Sequence, residues 1–316
     1  MPVHPRRRGI RPLAHLMAVT ALLSVTAGTA EHSTGSGVDT PATGSTRRLA
    51  TSVDATRPLS ERDKDVLHEA EQLLTQSCMS ERGFRTWVVP RVPIPEDRDF
   101  PYVVDDVLWA RAHGYGSEMA GRRDQYRRSD PNRRYFEGLS PQEKGRAADA
   151  LHGRRGGRQL RVTVPSGLTF ARLTDGCTAQ AQQELYRDLP RWFRASTITD
   201  ALAETNRAEV FTEKEFKESV KDWSACMTER GFSYATPAES RRRFDTPAGP
   251  AARRAEIRTA VAEAGCAASS GLADTAHRLA QRYDDHLRAR YAGEFATRQR
   301  LEQAALPRAQ AIVTAG

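Results

Sequence analysis

One heptapeptide occurs twice in this chain and constrains its fold more than any other feature. Residues 78–84 read Cys-Met-Ser-Glu-Arg-Gly-Phe, and residues 226–232 repeat them with Thr in place of Ser. A matching pair of tetrapeptides follows, Gly-Cys-Thr-Ala at 176–179 and Gly-Cys-Ala-Ala at 265–268. These patterns contain all four cysteines of the chain. Their shared order predicts two related halves with two cysteines each.

The four cysteines predict two disulfides. Four cysteines allow three connectivities, and the shared order favours the pairs Cys78–Cys177 and Cys226–Cys266. Each bridge would join two helices, and closing such long loops stabilises a fold by roughly 4–5 kcal/mol on the loop-entropy account. The sequence has no Cys-x-x-Cys pair for redox chemistry and no Cys and His spacing that suits zinc.

The N-terminus has the pattern of an export signal. Residues 1–30 combine a run of arginines, an apolar segment over 13–27 and small residues at 27–30. We predict a cleaved signal peptide there, with an uncleaved anchor or a mis-assigned start as the alternatives. The apolar run is short for a membrane span, and no Cys follows it to carry a lipid. Export would place the cysteines in an oxidising compartment, so we predict a secreted or extracytoplasmic protein.

The remaining chain predicts a mainly α-helical fold. Residues 31–57, rich in Ser, Thr, Gly and Pro, should form a disordered tether. A helical first half with an inserted stretch should cover 58–210, a second helical half 211–306, and a frayed tail 307–316. A long C-terminal helix is expected over 272–306, whose apolar stripe either lines the core, which we favour, or meets a second copy in a homodimer.

Local signals place the main helix ends. Ser60 begins a capping-box pattern, and Gly83 and Phe84 suit a Schellman motif that ends the same helix. Thr212 and Glu215 predict a second capping box. Each heptapeptide is therefore interpreted as a helix end that carries a disulfide anchor, which argues against a catalytic role for either copy.

A small β element is expected in the first half. Apolar and polar residues alternate over 160–164, which predicts a strand. Its partner is either 167–173 or 87–92. Prolines interrupt the second of these segments, so 86–92 should be an edge strand or an extended arm. The charged stretch 121–134 is expected to be a solvated loop.

Charge is a weak guide to partners. The formal net charge is +8, but four arginines lie in the predicted signal segment, so the mature chain would carry about 8 − 4 = +4. Arginine clusters at 122–134, 154–161 and 241–243 could contact anionic cell-wall polymer, phospholipid or nucleic acid. A solvated, arginine-rich surface is favoured instead, and export further disfavours nucleic acid.

Candidate catalytic and metal-binding residues are scattered. His113 lies in a turn-like His-Gly-Tyr-Gly stretch, and Asp105 and Asp106 resemble the polar start of a short helix. Four residues of the predicted final helix could touch a cation: His277, Asp284, Asp285 and His286. His277 and Asp284 are seven residues apart and can share a face, but His286 points elsewhere, so a solvated charged face is favoured. We therefore predict no catalytic residue, no metal site and no cofactor.

A longer segment around the second heptapeptide resembles a known group of proteins. Residues 223–234 read Trp-Ser-Ala-Cys-Met-Thr-Glu-Arg-Gly-Phe-Ser-Tyr, followed by Thr236-Pro237 and by Ala-Glu-Ala-Gly-Cys at 262–266. The chain is similar here to a poorly characterised group of exported actinomycete proteins, many of them lipoproteins. That resemblance implies a secreted, disulfide-bonded helical protein and brings no established activity. The Cys that lipoproteins acylate is missing from this sequence.

These observations favour an exported, non-catalytic protein that binds a partner at or outside the cell envelope. The alternative is an envelope-directed hydrolase with an unrecognised site, which would bring His113, Asp105 or Asp106 together in a cleft. A cytoplasmic, arginine-rich nucleic-acid binder is a third and weaker interpretation.

Overall fold

A computed structural model of the chain describes residues 57–92, 94–245 and 249–316. The predicted signal peptide, and the predicted tether up to residue 56, lie outside the described residues. Of the described helices, none is long and apolar enough to cross a membrane.

The described residues form a mainly helical fold with one small sheet, as predicted. The helices are α1 (Glu61–Glu81), α2 (Val107–His113), α3 (Ser117–Ser129), α4 (Pro131–Gly138), α5 (Pro141–His152), α6 (Cys177–Tyr186), α7 (Leu189–Thr212), α8 (Lys214–Glu229), α9 (Pro237–Arg242), α10 (Gly249–Ser269), α11 (Leu272–Arg290) and α12 (Ala292–Ala315). The strands are β1 (Gln159–Thr163) and β2 (Thr169–Leu173).

The two heptapeptides end their helices in the same geometry. Gly83 and Gly231 both have φ of +82°. In each copy the glycine N–H donates over 2.9 Å to the carbonyl three residues back, and the following Phe N–H donates over 2.9 Å to the Met carbonyl five residues back. This is the Schellman arrangement, which satisfies the last carbonyls of a helix. The predicted helix ends are confirmed at α1 and α8.

Gly83→Ala and Gly231→Ala should each lower the free energy of unfolding by about 1 kcal/mol, because an L-residue is strained at positive φ. A Cβ at either position would meet no atom within 4 Å, so the cost is that of the backbone alone. Gly145→Ala, inside α5 and equally uncrowded, should instead stabilise by roughly 0.5–1 kcal/mol. Urea unfolding of the three variants checks the opposite signs; a loss at Gly145 equal to the other two would contradict them.

Both predicted disulfides are present. Cys78 is bonded to Cys177 and Cys226 to Cys266, with Cα atoms 5.6 and 5.7 Å apart. The first bridge joins the end of α1 to the start of α6, and the second joins the last turn of α8 to α10. Each heptapeptide is thereby anchored to a second helix.

The hydrophobic core is divided into clusters that mix early and late parts of the chain. One cluster packs α12 against α1 and α6 and contains Leu67, Ala70, Leu185 and Leu306. Another lies among α8, α10 and α11 around Trp223, Met227 and Leu279. The division of the chain at residue 210 stays a prediction.

A long C-terminal helix is present as predicted, α12, but its bounds differ from those expected. The stretch 272–306 is divided at Tyr291, whose φ of −111° and ψ of +27° leave the helical range. This break lets α11 pack on α7 and α8 while α12 packs on α1 and α6. The prediction of a frayed tail over 307–316 was wrong, because Leu306 and Ala309 are buried and α12 continues to Ala315. Leu279 lies in the core, as favoured, and a homodimer through the C-terminal helix stays a prediction.

Two further local predictions need correction. The charged stretch 121–134 is helical, because Asp130 caps α4 with Pro131 at its first position and Asp124 pairs with Arg127 one turn later. Thr212 does not cap α8. Its hydroxyl donates over 2.7 Å to the Glu209 carbonyl at the end of α7, and Glu213 takes the N-cap position without a side-chain cap.

The small sheet is a hairpin. β1 pairs antiparallel with β2, with Arg161 opposite Ala171, so the first of the two predicted partners is the correct one. The segment 84–90, which we call the arm, is in neither strand. The backbone polar groups of the arm are therefore not satisfied by pairing with a strand.

Candidate functional site

A cavity of about 570 Å³ opens beside the first heptapeptide, between the arm and helices α1, α4 and α5. We call it the arm cavity. Four aromatic side chains and four small or aliphatic ones dominate its walls: Phe84, Trp87, Tyr135, Phe136, Met79, Ala147, Ala148 and Leu151. A concave apolar lining with a few polar groups is typical of small-molecule sites. A second cavity, near α2, is instead lined largely by charged side chains such as Asp97, Arg98 and Arg123.

The heptapeptide explains why the arm forms one wall. Gly83 ends α1 in a left-handed conformation, so the chain reverses and runs back along the helix that it has just left. Phe84 folds onto the last turn of α1, where it packs with Met79 and the Cys78–Cys177 pair. The floor of the cavity is therefore fixed by the disulfide and by the helix end together.

Amide side chains hold the arm in place of a partner strand. Asn132 accepts from the Trp87 N–H and donates to the Trp87 carbonyl, both over 2.8 Å. Gln72 accepts from the Val89 N–H over 2.9 Å, and Gln76 donates over 2.5 Å to the Thr86 carbonyl. These bonds satisfy backbone groups that would otherwise be unpaired, and they keep the aromatic side chains of the arm over the cavity.

Aromatic contacts shape the wall across from α1. The rings of Trp87 and Tyr135 lie edge to face with their centroids 5.6 Å apart. The Arg85 guanidinium lies 5.0 Å from the centre of the Trp87 ring. Phe136 remains 41% exposed. Such exposure of a large aromatic side chain at a cavity rim makes it available to a ligand.

One carboxylate lies in this apolar lining. Glu71 of α1 is half-buried, and its Oε1 accepts from Gln182 Nε2 over 2.8 Å. Gln182 in turn accepts from Arg172 of β2. Burial raises the pKa of Glu71 above its usual value, although the Gln182 hydrogen bond and the nearby Arg172 and His68 act in the opposite direction. The charged form of Glu71 is thus incompletely compensated.

His68 lies at the edge of the same cavity. Its Nε2 is 2.9 Å from the Val89 carbonyl oxygen and 2.8 Å from Gln72 Nε2. When Nε2 carries the proton, the ring donates to the arm at Val89, and in the other tautomer Nε2 accepts from Gln72 of α1 instead. His68 thus helps to hold the arm against α1 through the Val89 carbonyl.

A second cluster of carboxylates lies in α10 and is structural. Glu263 is 0% exposed and accepts from Val104 N–H, the Tyr115 hydroxyl and the Ser240 hydroxyl over 2.9, 2.7 and 2.5 Å. Burial raises its pKa, although Arg241 and these three donors oppose the shift. Glu256, two turns earlier, accepts from the Tyr115 and Ser117 N–H groups. The two side chains clamp the loop around α2 onto α10.

The predicted catalytic candidates do not converge. His113 Nδ1 bonds to Glu118 over 2.8 Å, and Asp106 caps α2 while pairing with Arg98. Asp105 instead contacts His277 Nε2 over 2.7 Å, which the sequence did not suggest. Each group is thus occupied by a different partner, and the cleft required by the hydrolase alternative is not formed by these residues.

The structure also describes the candidates for metal and anion binding. No group of three or more His, Cys, Asp or Glu side chains in the described residues is arranged to hold a metal ion. Asp284 pairs with Arg288, and Asp285 accepts from Gln281. Many arginines of the predicted basic clusters pair with nearby acids, for example Arg122 with Glu96, Arg123 with Asp97 and Arg133 with Glu137.

Comparisons with known proteins add no functional assignment. No protein-family model, curated protein or solved structure matches the chain. The arm cavity must therefore be interpreted from its own chemistry.

Sequence reasoning missed this cavity, although a signal for it was present. His68, Gln72 and Gln76 recur every four residues on α1, so they form one polar stripe beside the apolar one. A second stripe of the same spacing joins Glu71 and Thr75 to the cavity wall. Amide-rich stripes next to a buried face could have indicated a neighbouring segment without a partner strand.

Proposed function

We propose that this chain is an exported, non-catalytic binding protein that acts at or outside the cell envelope and takes a small apolar ligand in the arm cavity. The observation that carries the proposal is the aromatic and aliphatic lining of that cavity beside a disulfide-anchored helix end. Two disulfides support an extracytoplasmic location, because such bonds persist in oxidising compartments. The resemblance of residues 223–266 to exported actinomycete proteins agrees with this proposal.

A hydrolase has less support. The residues that would have to assemble its site, His113, Asp105 and Asp106, are engaged with Glu118, His277 and Arg98. The arm cavity holds one carboxylate and two histidines among its lining residues, Glu71, His68 and His152, and His68 is held by the arm. Binding is the function that this lining supports best.

The proposal is tested by titrating the purified protein with N-phenyl-1-naphthylamine, whose fluorescence emission rises in apolar sites. We expect saturable binding that Ala148→Phe weakens by about tenfold or more, because the ring fills the cavity and tenfold corresponds to about 1.4 kcal/mol. Ala148 is half-buried and lines the cavity.

The matched control is Ala252→Phe, at a half-buried position of α10 away from the cavity. This variant should bind the probe as the parent protein does. Equal weakening in both variants, or no saturable binding at all, would contradict a ligand site in the arm cavity.

A further inference from the structure

We infer that the ligand of the arm cavity is an apolar or aromatic molecule carrying one ammonium group, which pairs with the Glu71 carboxylate. This inference rests on the proposed binding function and specifies its substrate class. It follows from the Glu71 carboxylate, which has no directly paired cation among the described residues, and from the aromatic side chains that line the same cavity.

The first step concerns the hydrogen bonding of the two side-chain oxygens of Glu71. Its Oε1 is occupied by Gln182, whereas Oε2 has no hydrogen-bond partner among the residues that the structure describes. Within the same residues, no arginine, lysine or histidine forms an ion pair with Glu71 at 4 Å or less. A half-buried carboxylate without a paired cation is incompletely compensated, and a ligand ammonium would supply both the charge and the missing donors.

The second step concerns the cations that are present nearby. Arg172 reaches Glu71 only through the amide of Gln182 and lies outside the cavity lining, with its guanidinium 5.2 Å from the centre of the Phe193 ring. Arg133, at the rim, pairs with Glu137, and the Arg85 guanidinium lies by the Trp87 ring. None of these side chains neutralises Glu71 by direct contact.

The third step concerns the remainder of the ligand. Trp87 and Tyr135 present aromatic rings to the cavity, and such rings attract both apolar groups and cations. Met79, Ala147 and Leu151 add apolar surface next to them. Two arginines also belong to the lining, but Arg85 lies by the Trp87 ring and Arg133 pairs with Glu137. A molecule with an apolar body and a single positive end would place its apolar part against these side chains and its positive end on Glu71, the one acidic side chain among the described lining residues.

The test compares three probes that share one ring system: 1-naphthylmethylamine, 1-naphthalenemethanol and 1-naphthoate. Isothermal titration calorimetry of the purified protein at neutral pH measures the dissociation constant of each probe. We expect the amine to bind about 10- to 100-fold more tightly than the alcohol, as for a hydrogen bond to a charged group. The carboxylate should bind most weakly.

Glu71→Gln keeps the shape and the oxygen that accepts from Gln182, and it should bring the amine to the affinity of the alcohol. Glu69→Gln removes the same charge from the exposed face of α1 outside the cavity lining, so it should leave the preference unchanged.

The possible results separate the inference from the proposed function. If the alcohol binds and the amine has no advantage in the parent protein, the cationic ligand class is wrong while the binding site stands. Tighter binding of 1-naphthoate, or an equal loss in Glu69→Gln and Glu71→Gln, would also overturn the inference. If none of the three probes binds, the proposed function fails with it.

Discussion

Replacing Cys78 and Cys177 together by alanine is expected to lower the free energy of unfolding by about 5 kcal/mol on the loop-entropy account. The bridge closes 99 residues of sequence, and this separation sets the entropy that the unfolded chain regains when the bridge is lost. Cys177 is fully buried and packs with Met79, Ala150 and Phe84, so the cost also includes some lost packing. Urea unfolding under non-reducing conditions measures the change.

The second bridge provides an internal comparison. It closes 40 residues, so the Cys226→Ala, Cys266→Ala double variant should lose about 4 kcal/mol, somewhat less than the first pair. A loss below about 1 kcal/mol in both double variants would show that the bridges are not what holds the helix ends. A clearly larger loss at the shorter bridge would contradict the loop-entropy explanation.

Glu263→Ala is expected to destabilise the fold by about 3–5 kcal/mol, because it leaves a half-buried cation and several buried donors without their acceptor. The Val104 N–H, the Tyr115 hydroxyl and the Ser240 hydroxyl all end on this carboxylate. Arg241 lies 3.8 Å away and has no other carboxylate partner in the described residues. Chemical unfolding of the variant at neutral pH measures the loss.

A matched glutamate is available at the end of α7. Glu209 is exposed, so Glu209→Ala should change the free energy of unfolding by no more than about 0.5 kcal/mol. If the two variants differ by less than about 1 kcal/mol, the interpretation that Glu263 holds the loop around α2 onto α10 is wrong.

The sequence predicted the parts of this fold that depend on local chemistry. The capping box at Ser60, the Schellman turns at Gly83 and Gly231 and the disulfide pairs follow from short patterns with a direct physical cause. The charged helices α3 and α4 also had local signals, Asp130-Pro131 among them. The density of arginine obscured these signals and led to the interpretation as a loop.

The packing of α12 could not be predicted in the same way. Its burial against α1 depends on residues 67 and 306, which are far apart in sequence, and no local pattern records such a contact. Local sequence therefore predicts a frayed tail, although its small residues fit a helix interface. The same limit applies to the arm cavity, whose lining comes from five segments between residues 68 and 178.

Functional residues are harder to predict from the sequence than the packing of α12. His113 and Asp105 stood out as isolated titratable groups, yet the structure gives them separate partners. The sequence around Glu71 carries no signal of a functional role, because a glutamate in a helix is ordinarily solvated. Its role depends on the arm that Gly83 turns back over α1, and that reversal is a tertiary feature.

The central claim, that the arm cavity binds an apolar ligand, is tested most directly by the indole N–H signals of the protein in a ¹H–¹⁵N correlation spectrum. The chain has four tryptophans, and Trp87 lines the cavity whereas Trp109, Trp192 and Trp223 do not. Adding 1-naphthalenemethanol should shift the Trp87 signal in a saturable way and leave the other three nearly unchanged. An unchanged Trp87 signal, or shifts confined to the other tryptophans, would contradict the account.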